Sequence, residues 1–220
     1  MRINKFIALA SGLSRRAADT AIAAGRVVVN NAPPQAGQDI THADVVLLDN
    51  KPLHAPAATQ TILFNKPRGF VVSRDGQGSR TIYDLLPVEY HTLKPVGRLD
   101  KDSSGLLLLT NDGALAQRLT HPSHRKTKVY EVTLVQPLQP LHRQMISDMG
   151  IQLSDGPSKL HLERLHDGND KAWRVTMHEG RNRQIRRTFV ALGYQVDRLH
   201  RTHFGEYALG NLRPGSHQSV

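Results

Sequence analysis

The segment Gly97–Gly113, GRLDKDSSGLLLLTNDG, decides the fold because it holds a short apolar run with a clear beginning and end. Its four leucines, Leu106–Leu109, lie between Gly105 and the turn formed by Asn111–Gly113. A bounded run of this length is typical of a strand buried on both faces, although a buried helix segment can have the same composition. We therefore predict a central strand here and interpret the rest of the chain around it.

Asp100 comes directly before this predicted strand. A side chain at the edge of a rigid element can project into a cleft, which suits a catalytic or binding carboxylate. From these residues alone, a turn or capping aspartate paired with Arg98 or Lys101 is the simpler interpretation. The role of Asp100 therefore depends on what the rest of the chain supplies.

Composition limits the class of protein. A chain of 220 residues can form one large domain or two modest ones. Its 29 Lys and Arg against 19 Asp and Glu give a net charge of +10, which predicts a polyanionic partner, either nucleic acid or an acidic membrane surface. Because the basic residues are interleaved with structured segments, a folded nucleic-acid-binding protein is favoured.

Several classes are excluded or disfavoured by what the sequence does not contain. The absence of cysteine excludes disulfides, thiol catalysis and cysteine metal sites. No apolar run approaches the roughly 20 residues of a membrane span, and the amino terminus does not resemble a signal peptide. We therefore expect a cytoplasmic protein without a membrane partner. The scattered histidines and the lack of a glycine-rich phosphate loop predict no metal and no cofactor.

The first 53 residues have the pattern of a small separate module. Apolar side chains recur at helical spacing from Ile3 to Ala10, and Ser14 predicts the N-cap of a second helix. Short strands are predicted at residues 26–29 and 45–48. Residues 54–61 contain proline and show no periodicity, so we interpret them as a linker to a second domain at residues 62–220.

Arg15 and Arg16 fall in the first turn of the second predicted helix. Cations there oppose the helix macrodipole, at a cost of about 0.3–1 kcal/mol each. A docked phosphate would reverse the sign, because the free amides and the arginines would act together. Two solvated arginines on a tolerant surface helix explain the same pattern.

In the second domain, alternating or apolar segments predict strands at residues 62–64, 128–134, 160–165 and 172–177. A helix is predicted to begin at Asn182, with Arg183, Arg186 and Arg187 on one side. Like charges at this spacing repel each other, so an anion is expected nearby, either a carboxylate or a phosphate. A merely solvated basic face is the alternative.

Gly97-Arg98-Leu99-Asp100, together with the following Gly-Leu-Leu and Thr-Asn-Asp-Gly, resembles the catalytic motif of the RsuA/RluB/RluF-type family of RNA pseudouridine synthases. Asn65-Lys66-Pro67-Arg68-Gly69, Lys128-Val129-Tyr130 and the segment EGRNRQIRR at residues 179–187 resemble further motifs of this family, in the same order. Residues 1–53 resemble the S-four-like RNA-binding domain that usually precedes the catalytic domain.

This resemblance implies an α+β fold. The expected architecture is a small S-four-like domain, followed by a pseudouridine synthase catalytic domain with a mixed, mainly antiparallel β-sheet flanked by helices around a central cleft. It also implies three catalytic residues: Asp100, Tyr130 stacked on the target uracil with its hydroxyl near the proton on carbon 5, and Arg186 paired with Asp100. Leu199 and Arg98 are expected to line the substrate pocket. The basic residues assigned to RNA binding are Lys5, Arg15, Arg16, Arg26, Lys66, Arg68, Arg181, Arg183, Arg187 and Arg201.

The implied activity is the isomerisation of a flipped-out uridine to pseudouridine in ribosomal RNA or a pre-ribosomal particle. Large-subunit RNA is slightly favoured, and the protein is expected to act as a monomer. Because the reaction neither gains nor loses electrons and adds no external group, it requires no redox cofactor. The alternatives are a non-catalytic RNA-binding or ribosome-assembly factor, for which charge and the first domain are equally suited, and a synthase acting on transfer RNA.

Overall fold

The computed structural model describes residues 1–54, 58–76 and 78–220. The chain divides into two compact units, Met1–Thr59 and Gln60–Val220. The predicted linker at residues 54–61 spans this division, although residues 55–57 lie outside the described part. Among the described residues, no helix combines the length and the apolar character needed to cross a membrane.

The first unit packs two helices on a small antiparallel sheet. Its elements are α1 (Ile3–Ser11), α2 (Arg15–Ala23), β1 (Val27–Val29), β2 (Val46–Leu48) and β3 (Lys51–Leu53). The strand order is β1-β2-β3. The sequence predicted both helices and the first two strands, but it missed β3. That strand contains a proline and pairs only with β2, the edge position at which a sheet tolerates proline.

The helix boundaries in this unit follow from two local signals. Gly12 adopts a left-handed conformation with φ of 77° and closes α1. The Ser14 hydroxyl accepts a hydrogen bond of 3.0 Å from the Ala17 amide and caps α2, as predicted. Both helices bury their apolar faces, including Ile7 and Ala18, against the sheet residue Val27 in one core.

The second unit is larger and is built around one sheet. Its strands are β4 (Thr61–Lys66), β5 (Lys94–Val96), β6 (Ser104–Thr110), β7 (Lys128–Leu134), β8 (Ile151–Leu153), β9 (Gly156–Ser158), β10 (His161–Arg164), β11 (Ala172–Met177), β12 (Val196–Phe204), β13 (Tyr207–Ala208) and β14 (His217–Ser219). Its helices are α3 (Gly113–Thr120), α4 (Pro140–Gln144) and α5 (Gln184–Val190). The 3-10 turns are Ile82–Asp84, Val88–Tyr90 and Pro122–His124, and Met145–Met149 forms a π-helical turn.

The sheet is mixed and mainly antiparallel, as the family resemblance implied. Its strand order is β10-β11-β7-β12-β6-β4-β14, with β13 beside β12 and β5 beside β6. Among the described strands of this sheet, β12 and β6 form the one parallel pair. Strands β8 and β9 form a separate hairpin. The sheet therefore brings β7, β12 and β6, which are distant in sequence, next to one another.

The four leucines of β6 explain its central position. Leu107 and Leu109 pack into the main core with residues such as Phe64, whereas Leu106 and Leu108 face a second core that contains Leu119 of α3. All four leucine side chains are fully buried. The prediction of a strand buried on both faces is therefore confirmed.

Gly105 makes the parallel contact between β6 and β12 possible. It pairs with Arg201 and has φ of 106°, a conformation that side chains disfavour. A Cβ atom at this position would lie 2.2 Å from the Arg201 carbonyl oxygen and 2.5 Å from its amide nitrogen. No rotamer change can relieve this contact, because both atoms belong to the backbone.

Replacement of Gly105 by alanine is therefore expected to lower the free energy of unfolding by about 3 kcal/mol, from backbone strain and overpacking together. Gly193→Ala is the matched control, because Gly193 also has positive φ, 81°, but a Cβ atom there would meet none of the described atoms within 4 Å. Urea unfolding of both variants measures the difference. Equal losses in the two variants would show that the backbone contact at Gly105 contributes nothing.

Candidate active site

One cleft of about 520 Å³ in the second unit brings several of the predicted site residues together, although Arg186 is not part of its lining. Its lining includes Asp100 and Arg98 from the loop before β6, Tyr130 from β7 and Leu199 from β12. Its volume is within the range of small-molecule sites in proteins. Tyr130 is 8% exposed and Leu199 is 6% exposed, so each presents only a small part of its surface to the cleft.

Asp100 has an arginine partner, but it is not the predicted one. Its carboxylate is about one-third exposed, and Oδ2 lies 3.4 Å from Nη1 of Arg183. Arg186, the predicted partner, forms an ion pair with Asp102 instead, with 3.2 Å between Nε and Oδ2. Arg183 also binds Asp102, at 3.1 and 3.3 Å. The pairing of Asp100 with Arg186 is therefore a wrong prediction.

The position at which α5 begins explains why Arg183, and not Arg186, contacts Asp100. The sequence placed the helix start at Asn182, but α5 begins at Gln184 and Arg183 precedes it with φ of 46°. The left-handed residue directs its side chain back towards the loop before β6. Arg186 lies inside the helix and is 8% exposed. Its guanidinium donates hydrogen bonds to the carbonyl oxygens of Val196 and Asp102, at 2.9 and 3.1 Å.

Asp102 connects the two arginines. Burial alone would raise the pKa of its carboxyl, but the hydrogen bonds from Arg183 and the charge of Arg186 outweigh burial and hold the pKa below its ordinary value. Burial lowers the pKa of the Arg186 guanidinium, against the opposing effect of Asp102. Arginine remains protonated under these conditions. The site therefore contains two carboxylates and two guanidinium groups in a continuous network.

Lys66 was predicted to contact RNA phosphates, and the structure contradicts this prediction. Its side chain is completely buried. The ammonium group donates hydrogen bonds to the carbonyl oxygens of Pro67, Asp100 and Ser103, at 3.1, 3.0 and 2.7 Å. Burial lowers its pKa to about 8, although Asp100 and Asp102 raise it. Lys66 thus fixes the backbone of the turn that carries Asp100.

Arg181 and Arg187 were also assigned to RNA, but each binds Asp155. Arg181 lies 2.9 Å from Asp155 Oδ1, and its guanidinium also donates to the carbonyls of Gly156 and Pro157. Arg187 makes two hydrogen bonds to the Asp155 carboxylate, at 3.1 and 2.7 Å. The anion expected near the arginines of residues 181–187 is therefore a carboxylate. These contacts attach the β8–β9 hairpin to α5.

Arg201 is a further basic residue that the structure removes from the surface. It is 3% exposed, and its Nε donates a hydrogen bond of 2.8 Å to the Leu106 carbonyl. Its guanidinium lies over the Phe204 ring and contributes to the cleft lining. The predicted contact of Arg201 with RNA is therefore open to it only from within the cleft.

The other predicted RNA-binding residues are exposed. Arg26 is bound to Asp49, with 2.5 Å between Nη2 and Oδ2, so it is already partnered. The exposed set in the first unit is Lys5, Arg15 and Arg16, and in the second unit it is Arg68 and Arg183, of which Arg183 already pairs with Asp100 and Asp102. Arg98, which was predicted to line the substrate pocket, is exposed and belongs to the cleft lining. These residues retain their predicted role as a proposal.

Sequence reasoning missed two residues of the cleft region. Asp102 was passed over although it lies two positions after Asp100, and Lys128 was passed over although it begins the Lys-x-Tyr segment. Lys128 lines the cleft beside Tyr130. Across residues 1–54, 58–76 and 78–220, no group of three or more His, Asp or Glu side chains is arranged to hold a metal ion.

Comparison with known proteins gives consistent matches. Residues 60–191 match the family model described as RNA pseudouridylate synthase. A protein of Aquifex aeolicus named as an uncharacterized RNA pseudouridine synthase is 37% identical over 222 residues, covering 98% of this chain and 88% of the relative. The ribosomal large subunit pseudouridine synthase B of Xanthomonas campestris is 37% identical over 219 residues, but this chain spans only 44% of its length.

The fold comparison agrees with the sequence comparisons. A crystal structure of a pseudouridylate synthase superposes with a TM-score of 0.70 and 34% identity. The match covers 100% of this chain and 96% of that one. The mixed, mainly antiparallel sheet therefore corresponds to the fold of a pseudouridylate synthase.

Replacement of Lys66 by methionine is expected to lower the free energy of unfolding by about 3 kcal/mol, because three interior carbonyls lose their donor. Between pH 8 and its ordinary value of 10.5, Lys66 binds more protons in the unfolded chain than in the folded one. Wild-type stability should therefore rise with pH in this window relative to Lys66→Met. Urea unfolding at several pH values measures both effects, and a constant difference between the two proteins would contradict the burial of a titrating ammonium.

Arg186 and Arg183 provide a matched pair for the ion network. Arg186→Gln is expected to lower the free energy of unfolding by about 3 kcal/mol, because it leaves Asp102 and two carbonyls without a buried partner. Arg183→Gln should cost less than about 1 kcal/mol, because this side chain is 43% exposed. Thermal or urea unfolding distinguishes them. Equal free energies of unfolding for the two variants would show that the buried Arg186 contributes no more to stability than the exposed Arg183.

Proposed function

The chain belongs to the RNA pseudouridylate synthase family, and we propose that it converts a uridine of large-subunit ribosomal RNA to pseudouridine. The observation that carries this proposal is the position of Asp100: a carboxylate at a cleft, in contact with the Arg183 guanidinium and in the same lining as Tyr130 and Leu199. The relatives named as large-subunit enzymes support the choice of RNA.

The reaction is an isomerisation. The bond between sugar carbon 1′ and base nitrogen 1 breaks, the base turns, and carbon 1′ bonds to carbon 5. Carbon 5 loses a proton and nitrogen 1 gains one, so atoms and electrons balance without another reactant. The reaction requires a group that stabilises an electron-poor sugar carbon or binds it covalently, and a carboxylate serves either purpose.

Asp100 performs this role only when it is ionised. A guanidinium beside a carboxylate orients it and compensates its negative charge. Arg183 supplies this guanidinium directly, at 3.4 Å, while Asp102 and Arg186 hold the surrounding charges in position. The partner of the reacting carboxylate in this proposal is therefore Arg183, with Arg186 as a residue that acts through Asp102.

Tyr130 and Leu199 hold the base. Tyr130 projects from β7 into the cleft, and its ring offers a flat surface on which uracil can stack. Leu199 of β12 lies in the same lining and excludes water from the other part of the base. The Tyr130 hydroxyl is then the protein group that faces the departing proton on carbon 5.

RNA binding completes the proposal. Extraction of a stacked uridine costs a few kcal/mol, which contacts with phosphates offset. The exposed arginines Arg68 and Arg98 supply such contacts near the cleft. We assign residues 1–53 to an S-four-like RNA-binding domain, whose exposed Lys5, Arg15 and Arg16 meet RNA through their helices. The two separate units of the chain support this division.

Asp100→Asn is expected to lower pseudouridine formation by about a thousandfold or more, because the neutral amide can neither bond to the sugar carbon nor stabilise its charge. RNA binding should stay within about twofold, since Asp100 contributes no positive charge. Asp148→Asn, at an exposed position on the π-helical turn, is the control for loss of one acidic residue.

Carbodiimide mapping of ribosomal and transfer RNA from cells with the wild-type gene, either variant gene or no gene provides the measurement. The expected result is one signal that is lost with the gene and with Asp100→Asn but kept with Asp148→Asn. Identical maps in all four strains would overturn the enzymatic proposal and favour a non-catalytic RNA-binding protein. A lost signal in transfer RNA alone would move the substrate to that class.

A further inference from the structure

A second pair of cations lines the cleft, apart from the network around Asp100. Lys128 lies on β7 and Arg201 on the adjacent strand β12. Both lie over the same aromatic ring, that of Phe204: the Lys128 ammonium is 5.4 Å from the ring centroid and the Arg201 guanidinium carbon is 4.8 Å from it. The two positive charges are therefore held close to each other by the fold.

The counter-ions of the cleft are committed to other cations. In the part of the chain that the structure describes, no carboxylate lies within the 4.0 Å ion-pair distance of either Lys128 or Arg201. The ammonium of Lys128 donates to the backbone carbonyl of Glu179 at 3.3 Å, while the Glu179 carboxylate is engaged by Arg181 and Gln184.

Arg201 also lacks a carboxylate partner, and in addition one of its hydrogen-bond donors is not satisfied. It is only 3% exposed, and one of its terminal nitrogens, Nη2, has no hydrogen-bond partner among the described residues. Buried polar groups are almost always hydrogen-bonded, and an exception calls for an explanation, of which a bound ion is one. The Arg201 side chain is part of the cleft lining, so an anion in the cleft lies beside its guanidinium.

Two close cations in a partly buried position destabilise each other unless an anion joins them. Burial and the neighbouring Arg201 both lower the pKa of Lys128, and together they outweigh the opposing effect of Glu179. A neutral carbonyl oxygen would satisfy one donor but would leave the repulsion in place. A group with a full negative charge and several oxygens, such as a phosphate, offsets both.

The position of the pair relative to Tyr130 suggests which phosphate is bound. Lys128 and Tyr130 are two residues apart on β7 and therefore project from the same face, about 7 Å from each other. Arg201 is directly opposite Tyr130 in the register of β7 and β12. A nucleotide whose base stacks on Tyr130 thus has its backbone within reach of the two cations.

We propose that Lys128 and Arg201 form a phosphodiester-binding subsite that anchors the RNA strand beside the extracted uridine. This inference rests on the proposed function, because it assumes an RNA strand in the cleft. The pair positions the substrate and takes no part in bond making. It differs from the exposed arginines in that its cations are partly or fully buried, so its contact is with one defined phosphate.

The first experiment compares the full-length wild-type protein with Lys128→Met in binding a fluorescent five-residue oligouridylate, by anisotropy over a range of salt concentrations. Loss of one phosphate contact should weaken binding about tenfold. It should also reduce the slope of log affinity against log salt by about 0.7. Lys159→Met, at an exposed lysine between β9 and β10, is the control and should leave the slope unchanged. Equal slopes in all three proteins would overturn the proposal.

The second experiment replaces each linkage of the oligouridylate in turn by an uncharged methylphosphonate. Replacement of one particular linkage should lower the affinity of the wild-type protein about tenfold and leave the affinity of Lys128→Met unchanged. Arg201→Lys, which keeps the charge but loses the forked donors, should reduce the effect of the same linkage. If each neutral linkage lowers the affinity of both proteins by the same factor, the subsite does not exist as proposed.

A titration with inorganic phosphate separates the two sources of the anion. Phosphate should displace the oligouridylate from wild-type protein more readily than from Lys128→Met. If the protein binds phosphate but no neutral linkage changes its affinity for the oligouridylate, the proposal is overturned and the site is one for free anions. These measurements follow binding and need no turnover, so they can be interpreted even if no pseudouridine is formed. Full pseudouridine formation together with binding that does not depend on any one linkage would reject the subsite and leave the proposed function intact.

Discussion

The structure depends on how one charged lysine is held in the interior. Lys66 enters the protein from β4 and directs its ammonium to three carbonyl oxygens, of which two belong to the turn between Asp100 and Ser103. A buried ammonium is costly unless its donors are satisfied. The turn must therefore close around it in one conformation, and this requirement fixes the backbone from which the Asp100 carboxylate projects.

The position of that turn also depends on β6. Four leucines bury both faces of the strand, and a one-residue slip would bring a side chain to the place where only Gly105 fits against the backbone of β12. At its beginning, Gly105 allows the backbone of β12 to approach more closely than any side chain would permit. Strand β12 carries Leu199 and Arg201, and thus the close approach places the floor of the cleft next to the Asp100 turn.

The charged side chains of the second unit form two groups: some pair with each other within the protein, and others face the cleft or the solvent. Asp102 and Asp155 each form ion pairs with two arginines near α5, which holds this helix against the loop before β6 and against the β8–β9 hairpin. Other cations, such as Lys128 and Arg201 at the cleft, have no carboxylate within ion-pair distance among the described residues. A high count of arginine therefore does not by itself measure the RNA-binding surface, because part of it stabilises the scaffold that presents Asp100.

The sequence by itself determined the strand at Leu106–Leu109 and the helix cap at Ser14, because each depends on residues close together in the chain. Asp100 became a candidate through the resemblance of its motif to a known family, since its neighbours alone favoured a turn or capping role. Only the tertiary structure decided that Arg183 contacts Asp100, that Lys66 is buried and that Arg201 lines the cleft. These outcomes depend on the exact start of α5 and on which strands become neighbours. A basic residue has the same local signature whether it meets a carboxylate, a carbonyl or a phosphate, and only the packing of distant segments selects among them.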